Sequence, residues 1–134
     1  MASEIDETIT DSPVQKMERM SLEEMYSKAD ETQEIVIEYE NNKSIKLILR
    51  KGIPWDASSK AESAAMTVNI KGEGEIDPYV YMMELWDHVV VKSEPRIKIS
   101  NLKLMEADFA RDLLTEVFNR WNRVKINVTK IRKN

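Results

Sequence analysis

The chain has 134 residues, 42% of them hydrophobic and 33% charged, which suits one domain with a modest core and leaves little for a second. It contains no cysteine, which excludes disulfides, thiolate nucleophiles and thiol-ligated metals and fits a reducing cytoplasm. A net charge of −4 and a pI near 5.2 argue against duplex nucleic acid as a partner, and no apolar run approaches the ~18 residues a membrane span needs.

Residues 1–20 are rich in Glu, Asp, Ser and Thr, with scattered Ile5, Ile9 and Val14. They bury too little apolar surface to offset ordering and are expected to be disordered; no basic region followed by an apolar run marks a secretory leader. Ser21 with Glu24 then matches a capping box and predicts a short helix over 21–29. Its stripe of Leu22, Met25 and Tyr26, with Met17 and Met20 upstream, is expected to pack on its own domain. The sharper alternative is an adaptable methionine surface for a partner.

Strict alternation in EIVIEY puts Ile35, Ile37 and Tyr39 on one face, and SIKLILR does the same with Ile45, Leu47 and Leu49. The intervening Asn41-Asn42-Lys43 supplies a turn, so the pair reads as an antiparallel hairpin. Gly52 and Pro54 end it. A weakly amphipathic helix over 57–65 follows, capped by Asp56 or by a Ser59–Glu62 box. A short strand, MTVNIK, runs into Gly72-Glu73-Gly74, whose two glycines mark a turn or a mobile loop, and Glu73, Glu75 and Asp77 read as a flexible acidic linker. The spacing there lacks both a phosphate cradle and a calcium loop.

Asp77-Pro78 is a strong helix start. The segment after it is apolar on most of its circumference: Tyr79, Met82, Met83, Trp86, Val89 and Val90 form one stripe, widened by Tyr81 and Leu85. A helix of this kind, predicted over 78–91, is central to the core or covered by a partner. Glu94-Pro95 stops it, and Ile97 and Ile99 alternate with Arg96 and Lys98 in an extended connection. The helix over 105–121 has the clearest amphipathic pattern, with Phe109, Ala110, Leu113, Leu114, Val117, Phe118 and Trp121 on one side. Residues 125–134 form a basic tail in which VKINVTKI either adds an edge strand or stays loose. The whole is thus α+β: an N-terminal hairpin and small sheet, then a helical half, with 21–124 as the domain.

The lone His88 has no partner at ligand or triad spacing and reads as solvent-facing or half-buried, so no catalytic, cofactor or metal site is expected. Eight Met and three Trp in so short a chain are soft, large apolar groups suited to a protein interface, or simply core filling.

The order of these elements resembles the small tail assembly chaperones of long-tailed phages. The resemblance covers about residues 34–122: the apolar hairpin, the IPW-led segment, EIDPYVYMMELWDHVVV, EPRI and LMEADFARDLLTEVFNRW. It implies a non-enzymatic protein of the host cytoplasm that binds an apolar, helical tape-measure protein and keeps it soluble during tail assembly, without a cofactor. The tail tube protein and a second copy are further candidate partners. The protein-binding residues expected on this reading are Tyr79, Met82, Met83, Trp86, Phe109, Leu113, Phe118 and Trp121. The rival reading is a structural subunit of a phage-like particle, or another small protein-binding adaptor.

Overall fold

The computed structural model describes residues 17–128 and residue 132. The reading of residues 1–16 as disordered, and most of the reading of the tail beyond Val128, lies outside them.

The predicted capping box is present at the first helix, α1 (Leu22–Ser27): the Ser21 hydroxyl accepts from the Glu24 amide and the Glu24 carboxylate from the Ser21 amide. These bonds hold the Glu24 carboxyl below its usual range, the backbone amide being the larger cause. A 3-10 turn, Lys28–Asp30, continues α1 into the first strand.

Strands β1 (Thr32–Tyr39) and β2 (Lys43–Arg50) form the predicted hairpin. Asn41 and Asn42 make its turn with φ of 62° and 58°, the left-handed region that asparagine tolerates. The register sets Ile35 opposite Leu47 and Ile37 opposite Ile45, so one face carries Ile35, Ile37, Leu47 and Leu49 into the core.

Helix α2 (Trp55–Ala65) buries Ala57, Ala61 and Ala65 at one-turn spacing. Neither predicted cap forms: Pro54 stands at the N-cap, and Asp56 lies inside the first turn, where it pairs with Lys60 at 3.1 Å. The expected third strand forms as β3 (Met66–Val68) and the glycines supply a turn, but Gly74 to Ile76, expected to lie in a flexible acidic linker, form β4 (Gly74–Ile76) paired with β3 in a second hairpin. Asn69 organises it. Its Oδ1 accepts from the amides of Lys71 and Glu73, while its Nδ2 donates to the carboxylates of Glu73 and Glu75. Gly72, at φ 81°, supplies the reversal.

Asp77 caps α3 (Pro78–Val89) by accepting from the Tyr79 and Val80 amides, as its position before proline predicts. The helix stops short of 91. Its valine run turns into β5 (Val90–Glu94), antiparallel to β2 in a sheet ordered β1–β2–β5. β-Branched valines lose rotamer freedom in a helix and none against a pleated neighbour, and β2 offered an open edge. A register shift opposite Ile48 and Leu49 leaves Val91 exposed while Val90 stays in the core.

The expected extended connection contains another helix, α4 (Ile99–Leu104), entered where the Lys98 amide donates to the Asn101 side chain. Last comes α5 (Ala107–Val124), capped by the Glu106 carboxylate on the amides of Phe109 and Asp108. Those bonds, Phe109 first, lower the Glu106 pKa. A single apolar cluster joins the hairpin β1–β2, β5, Ala61 of α2, and α3, α4 and α5. Of the tail, the Ile126 amide donates to the Lys51 carbonyl at 2.8 Å, and no strand forms there among the described residues.

Candidate functional site

The predicted binding residues divide into floor and surface. Leu113 is fully buried, and Trp86, Phe118 and Trp121 are nearly so. Both indoles are anchored: Trp86 Nε1 donates to the Ile97 carbonyl at 2.9 Å and Trp121 Nε1 to the Arg50 carbonyl at 2.8 Å. Met82 and Met83 are half-buried, while Tyr79 and Phe109 reach the surface. The two helices therefore hide much of the apolar area that the sequence suggested for a partner, but not all of it.

Part of what remains lines a groove of about 560 Å³ where the start of α3 meets the second half of α5. Tyr79, Tyr81 and Met82 of α3, together with Ile76 and Pro78 just before them, form one wall. Phe118 and Trp121 of α5 form the floor, their rings edge-to-face with centroids 5.8 Å apart. Thr115, Asn119 and Asn122, about one helical turn apart, make the other wall. Their side chains hold no hydrogen bond to another described residue. At one end the Lys125 ammonium lies 4.8 Å from the Trp121 ring centroid, and Arg111 approaches the Tyr79 ring at 6.0 Å.

The groove thus unites Tyr79, Met82, Phe118 and Trp121 of the predicted set. Met83 opens instead into a smaller recess shared with Tyr79, Val80 and Ile99. Phe109 is elsewhere, its ring tilted 32° against Tyr39 with centroids 5.4 Å apart, and Trp86 lines a recess of mixed character with Asp87, Val90, Lys92 and Arg96. The uncharged polar wall of the groove was missed, although Thr115, Asn119 and Asn122 recur at helical spacing beside the apolar stripe and could have been read there.

Two apolar surfaces lie beyond the groove. The expectation that α1 packs on its own domain is wrong: it buries no residue, and Leu22, Met25 and Tyr26 are 60%, 51% and 66% exposed. Hairpin β3–β4 likewise leaves Met66 and Val68 exposed, on the face that continues through Ile76 to the groove wall. His88 is half-buried, and among the described residues no three His, Asp or Glu side chains are placed to hold a metal ion. No helix among them is long and apolar enough to cross a membrane. Compared with known families, curated proteins and solved structures, the chain shows no match.

Proposed function

We propose that this chain is a non-catalytic assembly chaperone that receives an apolar, amphipathic helix of a longer, tape-measure-like partner in the groove between α3 and α5. The observation that supports this reading is the groove itself: a rigid aromatic floor, Phe118 and Trp121, beneath a wall holding the adaptable Met82. A groove for successive, differing stretches of a long helix has to repack along them, and an unbranched thioether does so at little cost. The uncharged wall of Thr115, Asn119 and Asn122 neither demands nor repels a charge on the client, which suits a tolerant binder. The resemblance to tail assembly chaperones points the same way.

Co-expression with an aggregation-prone tape-measure fragment tests the reading. The intact chain is expected to hold the fragment in the soluble fraction, and Met82→Glu with Tyr79→Glu to lose most of that effect. Equal precipitation with and without the chain rejects it. A structural subunit of a particle is the second reading, favoured by the bare face of Met66 and Val68, which would suit a permanent contact. Mass spectrometry of purified particles separates the two, because an assembly chaperone is absent from them and a subunit is retained.

A further inference from the structure

We infer that α1 is an exchange arm: two copies of the chain pair by each laying the Leu22–Met25–Tyr26 face of α1 into the α3–α5 groove of the other. The arm is held at its base and free along its length. A Cβ added at Gly52 would sit 3.0 Å from the Ala29 Cα, 3.3 Å from the Lys28 carbonyl oxygen and 3.2 Å from Ile126 Cδ1, so the 3-10 turn is seated directly against the backbone at the end of β2. Because α1 runs into that turn through helical dihedrals at Ser27 and Lys28, the direction of the arm is set by the seat. It projects from its own body with its apolar face uncovered.

Position and charge both select a second copy. Ile126, at the base of the arm, directly follows Lys125, which closes one end of the groove. A two-fold axis beside this point sets each arm base next to the partner's groove, which is the self-complementary arrangement of an isologous dimer. On the approach Glu18 is offset by Arg19, and the first turn carries Glu23 and Glu24, so the arm is net acidic through its helix. The receiving end of α5 carries Arg123 and Lys125, neither of which is paired with a carboxylate of its own chain among the described residues. Acidic arm and basic receiver are thus supplied by one sequence, as a self-pairing surface requires. The arm shares the groove with the proposed client, but the pairing does not depend on that client existing.

Sedimentation equilibrium of the full chain without any client tests the inference. A concentration-dependent dimer is expected, and Leu22→Glu with Met25→Glu, both at exposed positions, is expected to weaken it by about tenfold or more. Glu23→Lys or Lys125→Glu alone is expected to weaken it, and the two together to restore it. A chain that stays monomeric at high micromolar concentration, or a dimer unmoved by the arm substitutions or not rescued by the charge exchange, overturns the inference. Each of those results leaves the solubility test of the client reading untouched.

Discussion

Tyr39 ends β1 with its ring against Phe109, half-buried overall, yet its hydroxyl is out of water and has no hydrogen-bond partner among the described residues. Burial raises its pKa above the ordinary phenol value, and the carboxylates of Asp112 and Glu116 add to the effect. A pKa raised on folding means that the native state keeps the proton longer than the unfolded chain. The contribution is therefore whole below the unfolded phenol pKa of about 10 and is lost as pH climbs through the native value. Tyr39→Phe keeps the ring contact, removes the unpaired hydroxyl and removes this alkaline loss. It is expected to stabilise the fold at neutral pH by about 1 kcal/mol, and to flatten the decline of thermal stability at high pH. Melting curves across the alkaline range check both; a less stable variant at neutral pH contradicts the first.

At the scale of elements, the residues that α2 buries are all alanines, and α3 is the helix it packs against. Ala57, Ala61 and Ala65 recur each turn on the buried face, and their small side chains let the two helices approach closely. Ala61 is 2% exposed, so Ala61→Leu has no room without moving one helix. The expected loss is about 1–3 kcal/mol, read from the urea midpoint, whereas Glu62→Ala on the exposed side should stay within about 0.5 kcal/mol. A tolerated leucine would mean that the interface is looser than its geometry states.

The elements legible in the sequence were those whose periodicity had one physical meaning. Alternation around Asn41-Asn42 gave the hairpin, and the stripe from Phe109 to Trp121 gave α5, although the helix runs one turn further, to Val124. Where apolar runs are short, period alone did not decide. Val90 and Val91 continue the greasy run of α3 on paper, and only the open edge of β2 turns them into a strand. Ile97 and Ile99 mimic alternation because Ile97 caps the core beneath Trp86 while Ile99 already begins α4. The site was half legible for a related reason. A stripe shows that a helix has something to bury, not whether its own domain or another molecule buries it. Trp86 and Leu113 went inward, and the face of α1, expected to do the same, did not.

For the whole molecule, the distribution of its indoles has an optical consequence. Trp55, at the start of α2, is 83% exposed, whereas Trp86 and Trp121 are 1% and 7% exposed. Emission from the native chain is therefore a sum of one water-bathed fluorophore and two shielded ones, and iodide should quench chiefly the first. Replacing Trp55 by Phe strips away that red, quenchable component at little cost to packing and leaves Trp121 as the fluorophore beneath the groove. In that background, anything that settles over Met82 and Phe118 must alter the surroundings of Trp121 and displace or trap the ammonium of Lys125 above it. A titration with a helical apolar peptide is expected to shift the spectrum saturably; a flat titration means that the peptide sits elsewhere. The protein thus carries its own dye beneath the groove proposed to receive a partner.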